Sequence, residues 1–120
     1  MNVTQLTAAE LRSVGLFGAL SDEVLEYLAT HLHVETPAAG DLLFREGEDA
    51  NAMFVVLSGE IEVLKRSRGG IEARIALLGP GDWVGEMSIV DIQPRSATVR
   101  AVAPGRLARI TSAVFPGSSA

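Results

Sequence analysis

The 120-residue sequence predicts a mainly β domain, a sandwich or closed barrel, with helices in front of it. Two observations predict this class. From residue 41 onward, short runs of β-branched or apolar residues alternate with glycine-containing turns. Before residue 36, the apolar residues instead recur at helical spacing. Many short strands joined by regular turns are typical of all-β sandwiches and barrels.

Two capping signals predict the N-terminal helices. Thr7 and Glu10 form a T-x-x-E capping box, in which each side chain bonds an otherwise unpaired backbone N–H. Ser21 precedes two acidic residues, which favour the positive end of a second helix. The apolar residues of this second helix are expected to share one face; they are Val24, Leu25, Leu28 and Leu32.

Six apolar runs are the predicted strands; they are 42–44, 53–57, 61–64, 75–78, 97–102 and 107–110. Residues 61–63 alternate between apolar and polar side chains, as expected of a half-buried strand. We divide the chain into a helical cap at residues 1–35, a β-barrel at residues 36–115 and a tail at residues 116–120. The cap and the barrel are expected to form one domain, since the chain is too short for two cores.

Composition argues against several classes of protein. The net charge is −5 and the basic residues are scattered, whereas a DNA-binding surface needs a stripe of Lys and Arg. The best basic cluster, Lys65, Arg66 and Arg68, is interpreted as a solvated hairpin tip. Apolar runs are far shorter than the roughly 20 residues that cross a bilayer, and we find no signal peptide. With no cysteine either, we expect a cytoplasmic protein with no direct nucleic-acid partner and no membrane insertion.

One segment, residues 85–99, interrupts the strands with what is predicted to be a single helical turn. Gly85 allows a ligand to approach the backbone, and the N–H groups after it would suit an anion. Arg95 is a planar fork of five donors that suits a phosphate, and Ser96 adds a neutral donor. Glu86, a carboxylate beside an anion site, calls for a hydrogen-bond donor such as a sugar hydroxyl. Together these groups describe a site for a ribose-phosphate.

The same segment resembles the phosphate-binding cassette of the cyclic-nucleotide-binding domain family. Residues 85–88, Gly-Glu-Met-Ser, match the opening of the family pattern, and residues 95–99, Arg-Ser-Ala-Thr-Val, match its end. The resemblance extends over about residues 11–115, nearly the whole chain. Three other stretches resemble the early hairpin, the central hairpin and the lead-in to the cassette; they are residues 40–47, 53–61 and 78–84.

The resemblance implies a jelly-roll β-barrel with N-terminal flanking helices and a short helical phosphate-binding cassette. It implies that Glu86 accepts a hydrogen bond from the ribose 2′-hydroxyl and that Arg95 neutralises the cyclic phosphate. Ser96 would support the phosphate through its hydroxyl and its backbone N–H. The other implied binding residues are Gly85, Met87 and Ser88, which present backbone groups to sugar and phosphate, and Ala97, which completes the motif.

The implied function is that of a regulatory domain, not an enzyme, and its ligand is a cyclic nucleotide. Cyclic AMP is favoured over cyclic GMP, although the hydroxyl of Ser96 could also reach a guanine amino group. The sequence contains no recognisable helix-turn-helix, kinase, channel or hydrolase segment. We therefore expect the output to come from a larger signalling protein or from a separate partner.

Two other functions are weighed against this one. The same fold could sense a different ligand or serve as a docking module, but a disused pocket has no physical need to keep both Glu86 and Arg95. A cupin-like metal enzyme is suggested by His31-x-His33 followed by Glu35. However, the chain has no third histidine, and His31 falls at the end of the predicted helix.

No catalytic arrangement is evident in the sequence. It contains no cysteine nucleophile, no G-x-S-x-G motif and no P-loop. Glu60 and Glu62 are interpreted as neighbours on a solvent-facing side of a strand rather than as a general-acid pair. Trp83 is interpreted as a core or rim residue of the barrel rather than as a platform for a base.

Overall fold

The computed structural model describes residues 6–48, 52–85, 95 and 97–111, with Leu16 described by its backbone alone. Helices come first and antiparallel strands follow, so the predicted mainly β class with N-terminal helices is confirmed. The helices are α1 (Ala8–Arg12), a 3₁₀ turn (Gly15–Phe17) and α2 (Asp22–His31). The strands are β1 (His33–Glu35), β2 (Leu42–Phe44), β3 (Ala52–Arg66), β4 (Glu72–Leu78), β5 (Trp83–Val84) and β6 (Thr98–Thr111).

Both predicted N-cap hydroxyls accept the expected hydrogen bond, but the reciprocal half of the Thr7–Glu10 capping box is absent from the described hydrogen bonds. The Glu10 carboxylate instead pairs with Arg106, with 2.5 Å between Oε2 and Nη1. The hydroxyl of Thr7 accepts a hydrogen bond from the Glu10 N–H at 3.1 Å, and that of Ser21 accepts one from the Val24 N–H at 3.3 Å. The apolar face of α2 is narrower than predicted, because the side chain of Val24 is 41% exposed. The buried side chains of this face are Leu25, Leu28 and Leu32. No helix among the described residues is long and apolar enough to cross a membrane.

The two long strands β3 and β6 form the centre of the sheet. The strand order is β1-β6-β3-β4, with β2 also paired to β6 and β5 to β3. Among the described strands, β4 pairs only with β3, so the sheet does not close into the predicted barrel. Instead, the pairing of β3 with β6 shifts register between Val56 and Ile61. Val56 and Ile61, on either side of this shift, share one buried cluster. The antiparallel strands form a jelly-roll-like sandwich.

Two glycines bring the central strands together at this bend. A Cβ atom on Gly59 would lie 2.8 Å from the Cα of Gly105 and 2.8 Å from the carbonyl oxygen of Pro104. A Cβ atom on Gly105 would overlap the carbonyl oxygen of Ser58. Only glycine fits where two backbones approach this closely, so the bend depends on the absence of both side chains.

The sheet has an apolar cluster on each face. Along β3, Met53 and Val55 pack with the N-terminal helices, whereas Phe54 and Val56 pack on the opposite side. This alternation follows from the two-residue period of a strand. We call the second group the barrel cluster; its buried members are Phe44, Phe54, Val56, Ile61, Val63, Val99 and Leu107.

The hairpin between β3 and β4 is solvated at its tip, as predicted. Residues 65–71 are exposed, and the Ser67 N–H donates to the Ile71 carbonyl oxygen at 2.8 Å across the turn. Lys65 forms an ion pair with Glu46, with 3.3 Å between Nζ and Oε2.

The interpretation of Glu62 as a solvent-facing residue is wrong, because this residue is only 7% exposed. One carboxylate oxygen accepts a hydrogen bond from Arg74 Nε at 3.0 Å, and the other accepts one from Arg100 Nε at 2.9 Å. The strand register explains the difference, since Arg100 on β6 lies directly opposite Glu62. These hydrogen bonds, led by that from Arg100, lower the pKa of the Glu62 carboxyl.

Candidate functional site

The structure brings two of the predicted site residues together where β5 ends and β6 is about to begin. A Cβ atom on Gly85 would lie 2.6 Å from Nη1 of Arg95, and Gly85 has a φ of +82°. Ala97 is partly buried and packs against the barrel cluster. The remaining predicted site residues, Glu86, Met87, Ser88 and Ser96, lie outside the described residues.

The backbone of Arg95 is held by the turn that follows β2. Its N–H donates to the Glu48 carbonyl oxygen at 2.7 Å, and its carbonyl oxygen accepts from the Gly47 N–H at 2.7 Å. Nearby, the hydroxyl of Thr98 accepts a hydrogen bond from the Glu46 N–H at 2.9 Å. Pairing on both sides fixes the position from which the arginine side chain extends.

The guanidinium of Arg95 lies inside the protein, and the residue is only 8% exposed. Its Nη2 donates to the Ala52 carbonyl oxygen at 2.7 Å. Its Cζ atom lies 3.9 Å from the centroid of the Phe44 ring. Within the described part of the chain, Arg95 Nε is the one buried side-chain nitrogen or oxygen that lacks a hydrogen-bond partner.

The charge of Arg95 is not neutralised by an ion pair with any described carboxylate. Burial lowers the pKa of the Arg95 guanidinium; the Glu48 charge raises it again in part, and that of Arg109 lowers it further. Arginine nonetheless stays protonated in proteins, so the site holds a buried cation. Such a charge is costly unless it is paired, which makes the site suited to an anion.

An apolar surface adjoins the guanidinium. Phe44 belongs to the barrel cluster and stacks on Phe54, with 6.1 Å between ring centroids. Val84, the residue before Gly85, packs against the same cluster. A buried cation beside apolar side chains suits a ligand that joins an anionic group to a less polar body.

Trp83 lies on the other side of β5. It pairs with Val55, which belongs to the cluster under the helices, whereas its neighbour Val84 packs on the barrel cluster. Because side chains alternate along a strand, the indole points away from the barrel cluster, and it is 39% exposed. This agrees with the interpretation of Trp83 as a rim residue.

A separate groove of about 580 Å³ runs between the turn after β2 and the tip of the β3–β4 hairpin. Thr98 and Arg100 line it, and they alternate along β6 with Val99 of the barrel cluster. The groove therefore opens on the opposite face of the sheet from Arg95, and its described lining residues include none of the predicted site residues.

His31, one residue of the metal-enzyme alternative, is engaged in other contacts. The Nδ1 atom of His31 lies 2.7 Å from the Tyr27 carbonyl oxygen, and its ring stacks on that of Tyr27 at 4.0 Å. In the described ranges, no group of three or more His, Cys, Asp or Glu side chains is arranged to hold a metal ion.

Sequence reasoning missed the residues that hold Arg95. Phe44 appeared only as the end of a predicted strand, and the Ala52 carbonyl and the Glu48 backbone carried no signal at all. These groups lie far from Arg95 in the chain, and only the folded arrangement of the turn after β2 and the start of β3 brings them to it.

Comparison with known proteins shows which family the chain belongs to. The family described as "Cyclic nucleotide-binding domain" matches residues 35–116. The cyclic AMP receptor protein of Thermus thermophilus is 34% identical over 87 residues, which cover 72% of this chain and 40% of that protein. The cGMP-dependent protein kinase egl-4 of Caenorhabditis briggsae is 32% identical over 96 residues, 79% of this chain and 13% of the kinase.

A solved structure gives the same result. The regulatory domain of Toxoplasma gondii PKA, crystallised with cAMP, superimposes with a TM-score of 0.81 at 29% identity, covering 93% of this chain and 42% of that one. The chain belongs to the cyclic nucleotide-binding domain family, and the predicted resemblance is confirmed. Members of this family are regulatory, non-catalytic domains. The chain spans less than half the length of the relatives named above.

Proposed function

We propose that this chain is a regulatory domain that binds a cyclic nucleotide at Arg95, with cyclic AMP preferred over cyclic GMP. The observation that carries the proposal is the buried guanidinium of Arg95, whose Nε has no partner among the described residues. A cyclic phosphate carries a single negative charge, which matches the one cation at this position. Its two free oxygens suit the planar donor pattern of arginine.

The other contacts of the ligand follow from the cassette. In this proposal Glu86 accepts a hydrogen bond from the ribose 2′-hydroxyl, and Ser96 donates to the phosphate. Gly85, Met87 and Ser88 contribute backbone groups. The proposed binding residues are completed by Ala97, which lies beside the barrel cluster.

The preference for cyclic AMP is supported by two of the similar proteins. One is named a cyclic AMP receptor protein, and another was crystallised with cAMP. A third is named a cGMP-dependent kinase, so both nucleotides belong in the test.

We also propose that the domain is not itself an enzyme, and that its output comes from another domain of a larger protein or from a partner protein. The low coverage of the named relatives supports this view, since each carries most of its length outside the matched region. A cytoplasmic location would suit such a signalling role.

Calorimetry with cyclic AMP and cyclic GMP tests the proposal on the folded chain. We expect cyclic AMP to bind more tightly than cyclic GMP. Charge-assisted hydrogen bonds contribute on the order of 1.5–3 kcal/mol, so Arg95→Ala should weaken binding by roughly ten- to over a hundredfold. Arg95→Lys keeps the charge but loses the planar fork, and it should recover only part of the affinity.

Arg45→Ala is the matched control, because Arg45 is exposed and lines the groove on the other face. It should bind like the unmodified chain. The proposal fails if the folded chain binds neither nucleotide below high micromolar concentration. It also fails if Arg95→Ala and Arg45→Ala have equal effects on affinity.

A further inference from the structure

We infer that Phe44 is a positioning residue, which holds the guanidinium of Arg95 ready for the ligand phosphate through a cation–π contact. The inference rests on the proposed function, because it concerns how that site is prepared for a cyclic nucleotide. It assigns a specific role to a residue that the cassette does not include.

The geometry meets the requirements of such a contact. The Arg95 Cζ atom lies 3.9 Å from the Phe44 ring centroid, well inside the roughly 6 Å within which the negative face of an aromatic ring attracts a cation. Phe44 is buried, and Phe54 stacks against it with 6.1 Å between ring centroids. The ring is therefore itself held in place by the barrel cluster.

An aromatic ring stabilises a cation without using any of its N–H donors. The ring of Phe44 attracts the charge of the guanidinium through its π face and carries no nitrogen or oxygen that would occupy an N–H donor. Ala52 takes one donor of Nη2, and Nε remains without a described partner. A carboxylate in place of Phe44 would neutralise the charge and occupy the donors that a phosphate needs. Phe44 thus supports the buried cation and leaves it available.

Holding the Arg95 side chain in position before the ligand arrives raises affinity, because less conformational entropy is then lost on binding. Three constraints define the position of the guanidinium: the ring of Phe44, the carbonyl oxygen of Ala52 and the space left by Gly85. Of these, Phe44 is the one whose electronic character can be changed with little change in shape.

Fluorinated phenylalanines provide the test. Phenylalanine carrying one, two or three fluorines is placed at position 44 of the full chain, and cyclic AMP affinity is measured by calorimetry. Each fluorine withdraws charge from the ring face while the ring stays nearly the same size. We expect the Kd to rise stepwise with fluorine number, by about 2- to 30-fold in total, since cation–π contacts contribute about 0.5–2 kcal/mol. Phe44→Leu, which keeps an apolar side chain but no ring, should weaken binding at least as much.

Phe54 is the matched control, because it is buried in the same cluster and has no described cation over its ring. The same fluorinated series at Phe54 should leave the Kd unchanged. Thermal unfolding of every variant shows whether the domain remains folded.

The two fluorinated series distinguish an electronic role of Phe44 from a packing role. A Kd that rises with fluorination at Phe44 and stays flat at Phe54 supports the inference. If the unmodified chain binds cyclic AMP and both series are flat, or both decline alike, then Phe44 acts only as a packing residue and the inference is overturned while the proposed function stands. If the unmodified chain binds no cyclic nucleotide, the proposed function itself fails.

Discussion

Glu62 on β3 and Arg100 on β6 face each other across the sheet, with 2.8 Å between Glu62 Oε2 and Arg100 Nη2. Arg74 on β4 contacts the other carboxylate oxygen. One buried carboxylate therefore joins three neighbouring strands. One of the three, β6, begins at Thr98, shortly after Arg95, so this group of charges braces the strand that leaves the candidate site.

Glu62→Gln should reduce stability most clearly near neutral pH. The pKa of Glu62 is lowered in the folded protein, so its charge stabilises the fold above the ordinary pKa of about 4.3. That stabilisation is lost as the pH falls through the lower, folded-state value. Urea unfolding at several pH values between 7 and 3 should show a smaller loss of stability on acidification for the variant than for the unmodified chain.

Glu60→Gln is the control for this change, because Glu60 lies opposite Ala103 rather than an arginine. It should leave the acid-side loss of stability unchanged. Part of that loss will remain in every variant, since the pKa of Glu46 is also lowered, chiefly by the backbone N–H of Arg66 and next by the side chain of Lys65. Identical pH profiles for Glu62→Gln and the unmodified chain would contradict the assigned role.

Gly85→Ala should damage both stability and binding. Alanine at a φ of +82° is strained by about 1–2 kcal/mol, and its Cβ would lie 2.6 Å from Arg95 Nη1. We expect the displaced guanidinium to cost at least about tenfold in cyclic AMP affinity. Gly81→Ala separates the two effects, because Gly81 has a φ of +92° but an open space around it. Gly81→Ala should lower stability but leave cyclic AMP affinity unchanged. If both variants lost affinity equally, the close approach of Gly85 and Arg95 would not explain the effect.

Gly105→Ala should destabilise the fold by about 1–3 kcal/mol or more, because the added methyl group meets the backbone of Ser58 and Gly59. The effect is steric, since the φ of Gly105 is not in the left-handed region. Gly79→Ala is matched to it, with an ordinary φ and no atom near the added methyl group. Urea unfolding should place Gly79→Ala within about 0.5 kcal/mol of the unmodified chain. Equal stabilities for the two variants would show that the bend tolerates a side chain.

Ser21→Ala should lower the free energy of unfolding by about 1 kcal/mol, because the Val24 N–H loses its acceptor at the start of α2. Ser21→Asp keeps an acceptor and adds a favourable charge at the helix N-terminus, so its stability should match or exceed that of the unmodified chain. Chemical unfolding of the two variants measures the difference. A Ser21→Ala variant as stable as the unmodified chain would show that the cap contributes nothing.

Much of the fold was predictable because its signals are local. The caps at Thr7 and Ser21 depend on residues three positions apart, and the predicted apolar runs lie in β2, β3, β4 and β6. Runs 53–57 and 61–64 belong to the single strand β3, runs 97–102 and 107–110 to β6, and the short strands β1 and β5 are not among the predicted runs. The open sheet was not predictable in this way. It is a matter of which strands pair, with β4 bonded to β3 among the described strands and the β3–β6 register shifting near Gly59 and Gly105, two segments distant in sequence.

The site was predictable in its chemistry but not in its surroundings. The choice of Arg95 rests on the residues beside it in the sequence, whereas its contacts with Phe44 and Ala52 depend on strand register. The same limit explains Glu62. Its sequence neighbours gave no sign of Arg100, which only the pairing of β3 with β6 places opposite it.

The anion site around Arg95 can form only late in folding, because its residues come from distant segments of the chain. Phe44, Ala52 and Gly85 come from separate parts of the sequence, and contacts of such long separation form only after large loops have closed. A fragment that lacks any of these segments therefore cannot assemble this anion site, and a ligand that needs the whole site binds only chains in which all of them are in place. At a hundredfold excess over its Kd, such a ligand would add about 2.7 kcal/mol to the stability of the domain. The concentration of the nucleotide would then govern how long each copy survives proteolysis as well as what it signals.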